Sequence, residues 1–297
     1  MKQQPRSLTG KVVVITGGGR GIGAATARAL VSRGARVAIG DVDLATAERT
    51  AAELGGGTIA RYLDVTDRPG FTSFLDEVER ELGAIDVLIN NAGIMPLAPV
   101  EEESDATVIR QLELNLHAVI HGSKEAILRM KPRGGGHIVN VASVAGKAGF
   151  PGGATYCAVK HGVVGFSEAI RLELRGTGLE VSCVMPSLVA TELASGVEDS
   201  PFVKRARPED VAEAIVGALQ RPRFDVYVPR ISGYLTQLMA PMPRSWREAT
   251  ARVLKADRLL LEAAKGHGRA AYEARAAAST PAAEAVVEEQ AGERAAA

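Results

Sequence analysis

A tyrosine and a lysine four positions apart carry the strongest chemical signal in this 297-residue chain. Tyr156 and Lys160 fall on a predicted helix, where this spacing places both side chains on one face. A tyrosine with a pKa of about 10 is a poor base near neutral pH, but a nearby ammonium favours the phenolate. Ser143 follows a predicted strand and precedes the pair. These residues predict proton transfer at a substrate oxygen.

A glycine-rich loop is the second signal, because it lies between a β-branched run and an alanine-rich helix. Glycines let the backbone approach a pyrophosphate, and the following helix N-terminus supplies free N–H groups and a positive dipole end. The strand–loop–helix context favours a dinucleotide site over a simple tight turn. The candidate residues of this loop are Gly17, Gly19, Arg20, Gly21, Ile22 and Gly23.

Two charged residues give opposite indications of the cofactor. Asp41 ends the second predicted strand, where a carboxylate can accept hydrogen bonds from ribose hydroxyls and repel a 2′-phosphate. Arg20 points the other way, because a basic side chain in the loop can pair with that phosphate. We weight Asp41 more and predict NAD rather than NADP, although Asp41 could also be a helix cap or turn residue.

The elements that position these residues alternate between strands and helices over the first 230 residues. The strand runs are nearly continuous in apolar residues, as expected when helices cover both faces. This rhythm predicts an α/β fold with one doubly wound parallel sheet. Strands are predicted at Val12–Thr16, Arg36–Gly40, Thr58–Leu63, Ile85–Asn90, His137–Ala142, Glu180–Met185 and Phe224–Val228, and helices at Gly21–Arg33, Ala45–Leu54, Phe71–Leu82, Ser104–Met130, Ala154–Arg175 and Pro208–Leu219.

Composition narrows the function classes. Lys plus Arg equals Asp plus Glu at 35 each, which argues against a nucleic-acid partner. Two cysteines cannot form a disulfide framework and fit a reducing compartment. No apolar run is long enough to span a bilayer, and the N-terminus lacks the apolar core of a signal peptide. We therefore expect a cytoplasmic protein with no integral membrane segment.

Taken together, the motifs resemble the classical short-chain dehydrogenase/reductase family. The resemblance covers roughly residues 8 to 230 and implies a Rossmann fold, direct hydride transfer and a homodimer or homotetramer. Tyr156 would be the general acid/base, and Lys160 would bind the nicotinamide ribose and lower the Tyr156 pKa. Ser143 would hydrogen-bond the substrate oxygen, and Asn115 would hold a water in a proton relay. The motifs are Thr16-Gly-Gly-Gly-Arg-Gly-Ile-Gly23, Asp64-Val65, Asn90-Asn-Ala-Gly93, Asn115, Ser143 and Tyr156-Cys-Ala-Val-Lys160.

The resemblance also implies further cofactor contacts. Asp64 and Val65 would contact the adenine, and Thr191 would contact the carboxamide. One position departs from the family pattern, because Ser187 stands where a glycine is usual and could face the substrate. The remaining implied cofactor residues are Asn91, Ala92, Gly93, Pro186 and Val189.

The chain beyond residue 230 changes character. We predict a helical extension over 231–265, with Arg252–Leu261 helical, and a tail over 266–297 that is either disordered or a loosely held helix. The apolar stretch Ile231–Trp246 could line a hydrophobic substrate pocket, or pack at a subunit interface or against the sheet, which is slightly favoured. A weak peripheral membrane contact is a third interpretation, through Arg244, Trp246, Arg247 and Arg252.

These signals predict an NAD-dependent oxidoreductase that interconverts a secondary alcohol and a ketone, on a steroid-like, terpenoid or acyl substrate. The alternatives are an NADP-dependent 3-oxoacyl thioester reductase and a protein that senses NAD without turnover. His117 and His121 have a possible metal spacing, but no third ligand is evident and we predict no metal. Cys157 lacks the partners of a nucleophile.

Overall fold

The computed structural model describes residues 4–197, 205–253, 256–265 and 267–278. Its centre is a seven-stranded parallel sheet in the order β3-β2-β1-β4-β5-β6-β7. The strands are β1 Val12–Thr16, β2 Arg36–Asp41, β3 Ile59–Tyr62, β4 Val87–Asn90, β5 Gly136–Val141, β6 Leu179–Pro186 and β7 Asp225–Val228. The predicted doubly wound sheet is confirmed.

Helices cover both faces of the sheet, which explains why the strands are apolar throughout. All five residues of β1 are buried, and the side chains of Val13 and Val14 enter opposite cores. The helices of the sheet domain are α1 Gly21–Val31, α2 Leu44–Leu54, α3 Arg68–Leu82, α4 Asp105–Leu112, α5 Ala118–Met130, α6 Ala154–Glu173 and α7 Pro208–Gln220. Because both faces are desolvated, this packing supplies most of the stability of the sheet.

The strand order creates a crevice at one edge of the sheet. β1 lies between β2 and β4, so the connections that leave β1 and β4 turn to opposite faces. Such a switch point is where open parallel sheets bind ligands, beyond the carboxyl ends of their strands.

The predicted helix over Ser104–Met130 is interrupted. A π-helical turn, Glu113–His117, separates α4 from α5 and has Asn115 at its centre. One extra residue in a turn is rare and occurs mostly at functional sites. Periodicity alone could not detect it, because the flanking helices have ordinary helical patterns.

Further helices follow the sheet: α8 Arg230–Met239, α9 Arg244–Val253, α10 Ala256–Lys265 and α11 Ala270–Ala278. The single helix predicted over Arg252–Leu261 is therefore wrong in its bounds, because α9 ends and α10 begins within it. Within the described ranges, no helix is both long and apolar enough to cross a membrane.

Candidate active site

A cavity of about 840 Å³ occupies the crevice at the carboxyl edge of the sheet. It brings together nearly all the residues that the sequence nominated, although they come from positions far apart in the chain. Gly19 and Gly23 do not line it. Those that do are Gly17, Arg20, Gly21, Ile22, Asp41, Asp64, Val65, Asn91, Ala92, Gly93, Asn115, Ser143, Tyr156, Lys160, Pro186, Val189 and Thr191.

The glycine loop is shaped by close backbone approaches. Gly17 has a φ of 63°, and a Cβ there would lie 2.8 Å from the Cα of Ala92. A Cβ at Gly23 would lie 2.2 Å from the carbonyl oxygen of Gly17, which explains why Gly23 shapes the loop without lining the cavity. The side-chain amide nitrogen of Asn91 donates to the carbonyl oxygen of Gly17 at 2.9 Å. Only glycine fits these two positions without moving the loop.

The N-terminus of α1 is suited to an anion. The residue before the helix, Arg20, provides no side-chain cap, so the first N–H groups depend on another partner. Together with the positive dipole end, this fits the pyrophosphate of a dinucleotide. The cradle of the glycine loop therefore matches the group that the motif implies.

Carboxylates surround Arg20. Its guanidinium forms an ion pair with Asp43 and a second one with Glu192 at 3.3 Å. Asp41 accepts hydrogen bonds from the backbone N–H of Gly19 at 2.9 Å and of Asp43 at 3.0 Å, so it also fixes the loop. Asp43 and Glu192 were missed in the sequence, although Asp43 has the signature of a helix cap and accepts from the backbone N–H of Thr46.

Tyr156 and Lys160 are both buried in the wall of the cavity. The Lys160 Nζ lies 5.6 Å from the centre of the Tyr156 ring and donates to the carbonyl oxygen of Val141 at 3.0 Å. The Ser143 hydroxyl accepts from the N–H of Ala145 at 3.1 Å and donates to the carbonyl oxygen of Pro186 at 3.4 Å. The phenol, the amine and the hydroxyl thus share one wall.

The electrostatics of Tyr156 and Lys160 bear on the sequence-based expectation that Lys160 lowers the Tyr156 pKa. Burial raises the pKa of Tyr156, and the neighbouring Ser143 hydroxyl opposes this by favouring the phenolate. Burial also lowers the pKa of Lys160 to about 8. Desolvation, which penalises the charged form of each group, is the largest cause of both shifts, and the influence of Lys160 on the Tyr156 pKa stays a prediction.

Asn115 joins the π-helical turn to the loop after β4. Its side chain accepts from the backbone N–H of Ile94 and donates to the carbonyl oxygen of the same residue, both at 2.9 Å. A Cβ at Gly93 would lie 2.5 Å from the Asn115 Oδ1, so glycine is needed for this contact. Asn115 therefore anchors a cavity wall, and its role in a water relay stays a prediction.

The segment after β6 forms a wall of the cavity beside the glycine loop. Val189 forms a parallel bridge with Ala206, and the Thr191 side chain is 3.3 Å from a Cβ built on Gly21. The Ser187 hydroxyl is shielded and has no hydrogen-bond partner within the described residues. Ser187 itself lines the cavity, so the expectation that it could face the substrate stays a prediction. The family resemblance implies a substrate loop over residues 188–207, of which residues 198–204 lie outside the described ranges.

The C-terminal extension closes one side of the cavity, and two expectations about it need correction. The stretch Ile231–Trp246 contributes a single described residue, Thr236, to the cavity lining. Most of the large apolar side chains of this stretch are exposed to solvent instead. The tail from residue 266 is expected to be disordered or a loosely held helix. Its described part contains α11, which lines the cavity, so the disordered alternative is wrong there, and residues beyond 278 lie outside the described ranges. The alanine-rich composition did not predict that α11 would pack against the cavity, because the burial of a helix depends on the surface that it contacts. The other lining residues of the extension are Leu260, Tyr272, Arg275 and Ala276.

Arg269 fastens this extension to the sheet domain. It is 2% exposed and donates to the carbonyl oxygens of Leu193 and Ser195 at 2.8 Å and of Met95 at 2.6 Å. The Tyr272 hydroxyl accepts from the N–H of Met95 at 2.7 Å. A buried guanidinium with this many partners holds both loops at the cavity mouth.

The remaining candidates lie outside the cavity. His117 contacts Glu113 at 2.8 Å, while the His121 ring packs edge-on against Phe71. Cys157 is buried beside Tyr156, and burial raises its pKa. These side chains serve the helix surfaces and the core.

Comparison with known proteins decides the family. A family model described as short chain dehydrogenase matches residues 11–201. The chain belongs to this family. It is therefore an oxidoreductase of the short-chain dehydrogenase type, a family that binds NAD or NADP. The match ends before α7, so the C-terminal extension lies outside it.

Individual members of the short-chain dehydrogenase family show the same relationship. A D-threitol dehydrogenase of Mycolicibacterium smegmatis is 40% identical over 222 residues, covering 70% of this chain and 85% of that protein. A 3-oxoacyl-acyl-carrier-protein reductase of Haemophilus influenzae is 34% identical, covering 70% and 90%. A Burkholderia phymatum short chain dehydrogenase/reductase solved with NAD has a TM-score of 0.73 and 26% identity, covering 79% of this chain and 94% of that one.

Proposed function

We propose that this protein is an NAD-dependent dehydrogenase that interconverts a secondary alcohol and a ketone, with Tyr156 as the general acid/base. The observation that carries the proposal is the shared wall of Tyr156, Lys160 and Ser143 in a cavity that continues to the glycine loop. A proton-transferring phenol and a dinucleotide cradle thus open into one space.

The residues that would hold the cofactor follow from their places in the cavity. The glycine loop and the α1 N-terminus suit the pyrophosphate, and Asp41 suits the adenosine ribose. Asp64 and Val65 are placed for the adenine, and Pro186, Val189 and Thr191 line the far end. A bound nicotinamide dinucleotide supplies the hydride acceptor or donor.

The proton is handled by this chain's own residues. In the oxidation direction, the Tyr156 oxygen takes the hydroxyl proton of the substrate, and in the reduction direction it returns that proton. The Ser143 hydroxyl donates to the substrate oxygen and stabilises its developing negative charge. A charged Lys160, 5.6 Å from the Tyr156 ring centre, favours the phenolate electrostatically.

The preference for NAD rests on charge. Asp41 lines the cavity, where its carboxylate repels a 2′-phosphate. Arg20 could attract that phosphate, but Asp43 and Glu192 already pair with it. The Burkholderia relative binds NAD, which agrees with this proposal.

The substrate that we propose is an apolar alcohol or ketone. Phe150, Leu188, Leu193 and Leu260 line the cavity near Tyr156 and belong to one apolar cluster with it. Burial of a hydrocarbon substrate against these side chains is favourable in proportion to its apolar area. The Mycolicibacterium and Haemophilus relatives act on different substrates, so we base the proposed substrate class on the apolar side chains of this wall.

A 3-oxoacyl thioester reductase is the second candidate, because the Haemophilus relative has that activity and the same apolar wall could bind an acyl chain. Such an enzyme would use NADP in our alternative hypothesis. Comparing both cofactors at equal concentration therefore separates the two candidates.

We also propose a cytoplasmic homodimer or homotetramer. Leu128 on α5 and Leu172 on α6 are large apolar side chains that are more than half exposed in the single chain. These helices pair across the dimer in the family, and burying both leucines would remove apolar surface from water.

The test is a screen of secondary alcohols and ketones of graded size with NAD and NADP, following the absorbance of the reduced nicotinamide. We expect turnover with NAD that improves as the apolar group grows, and loss of turnover in Tyr156→Phe. Equal turnover by Tyr156→Phe would contradict the catalytic assignment. A clear preference for NADP and acyl thioesters would select the second candidate.

A further inference from the structure

Helix α8 packs against the sheet domain through a glycine on its inner side. A Cβ at Gly233 would lie 2.5 Å from the Tyr227 ring, so the helix backbone rests directly on β7. Thr236 is half-buried and lines the cavity. The side of α8 that faces the protein therefore consists of small and polar residues together with the half-buried Met239.

The opposite side of α8 is apolar and faces outward. We call the set Ile231, Tyr234, Leu235 and Leu238 the outer face of α8. These side chains are 59%, 68%, 50% and 63% exposed, and their spacing places them on one stripe of the helix. A helix on a water-soluble protein normally turns such a stripe toward the core. The arrangement here is the reverse, so the outer face of α8 is suited to contact an apolar environment outside this chain.

The charged and aromatic residues near this apolar stripe indicate which environment it contacts. Residues 226–247 contain Arg230, Arg244 and Arg247 but no aspartate or glutamate, although the whole chain has equal numbers of basic and acidic residues. Arg244 pairs with Glu248, just beyond the segment. Trp246 is 67% exposed, and tryptophan and tyrosine favour the boundary between lipid and water. Apolar, aromatic and basic side chains together fit an anionic lipid surface.

We propose that the outer face of α8, with Trp246 and the nearby arginines, docks this protein on the surface of an anionic lipid bilayer. A second copy of the chain is less compatible with the charge pattern. A two-fold interface would place the same acid-free segment against itself and bring like charges together.

Helix α8 borders the cavity through Thr236, on the side opposite its outer face. Docking through α8 would therefore hold the cavity close to the lipid surface. The inference does not depend on the proposed reaction, since lipid binding is measured without turnover.

The experiment is vesicle flotation of the full-length protein. One set of vesicles contains phosphatidylcholine with phosphatidylglycerol, and the other contains phosphatidylcholine alone. We expect flotation with the anionic vesicles that weakens at high salt. Leu235→Ser with Leu238→Ser should lower the lipid partition coefficient about tenfold or more. Arg230→Gln with Arg244→Gln should weaken binding to anionic vesicles selectively.

Val100→Ser is the matched control, because Val100 is 66% exposed and lies outside α8. It should float like the unaltered protein, and circular dichroism should show that every variant is folded. Absence of flotation with anionic vesicles would overturn the proposal. Equal flotation by the α8 leucine variant and the control would also overturn it. A lower molar mass of the leucine variant in solution, without any loss of flotation, would assign the face to a second copy instead.

Discussion

The guanidinium of Arg269 donates a 2.6 Å hydrogen bond to the carbonyl oxygen of Met95, joining the C-terminal extension to the loop that follows β4. The same side chain also donates to the carbonyl oxygens of Leu193 and Ser195, in the segment after β6. One buried cation thus organises the cavity mouth from outside the region that the family model matches.

Removal of this cation should loosen the cavity mouth. Arg269→Ala leaves one buried and two partly buried carbonyl oxygens without their donor, so we expect a loss of about 3 kcal/mol in the free energy of unfolding. The Michaelis constant for the substrate should rise more than the turnover number falls, since Tyr156 is untouched. Urea denaturation and steady-state kinetics measure the two effects.

Arg275→Ala provides the matched control for that variant. Arg275 pairs with Glu192 at 3.0 Å, but both side chains are about half exposed. An exposed pair contributes about 1 kcal/mol or less. If both variants lost the same stability, the organising role of Arg269 would be wrong.

Tyr156→Phe should abolish the proton transfer while keeping the ring in place. We expect turnover to fall by about a hundredfold to ten-thousandfold with little change in NAD binding. Tyr272→Phe is the control, because Tyr272 is a second buried phenol in the same cavity. It should retain most of the turnover. Stopped-flow kinetics and NAD titration followed by fluorescence measure these quantities.

Lys160 should make the protein less stable at neutral pH than at alkaline pH. Burial lowers its pKa from 10.5 to about 8, so between these values the unfolded chain binds more protons than the folded one. The contribution of Lys160 to stability therefore rises with pH across this window and is fully unfavourable below it.

Lys160→Met should accordingly raise the free energy of unfolding at pH 7 by about 3 kcal/mol and remove turnover. The gain should vanish above the unfolded pKa. Lys147→Met is the control, because Lys147 pairs with Glu168 at 2.9 Å and its pKa is raised. Lys147→Met should therefore not raise the free energy of unfolding at pH 7. Urea titrations at several pH values provide the measurement.

Asp41→Asn should relax the preference for NAD. An asparagine oxygen can still accept from the N–H of Gly19, so the loop keeps that contact, while the negative charge and the acceptor for the N–H of Asp43 are lost. We expect the NADP affinity to rise about tenfold, because repulsion of the 2′-phosphate disappears. Isothermal titration with both cofactors tests this. Unchanged NADP affinity would remove Asp41 from the ribose site.

Much of the site could be predicted because its parts are local signals. The glycine loop, Asp41, and the spacing of Tyr156 and Lys160 each depend on a few neighbouring residues. Parallel strands bring their carboxyl ends to one edge, so the alternation of strands and helices was enough to predict that these signals meet. The cavity contains them for this reason.

Long-range partners were beyond the reach of pattern analysis. Glu192 lies far from Arg20 in the chain, and Arg269 binds carbonyl oxygens more than seventy positions away. Backbone carbonyls have no sequence signature at all. The direction of the Tyr156 and Lys160 pKa shifts also needed the structure, because it depends on how completely each group is desolvated.

The sequence by itself determined the fold class, the order of the elements and the residues that can transfer a proton beside a dinucleotide. These depend on periodicity and short spacings, which the chain carries locally. Only the tertiary structure decided that α11 covers the cavity, that Arg269 secures it and that α8 turns its apolar side outward. Each depends on which surface a helix meets, and that is a property of the packed molecule rather than of any segment.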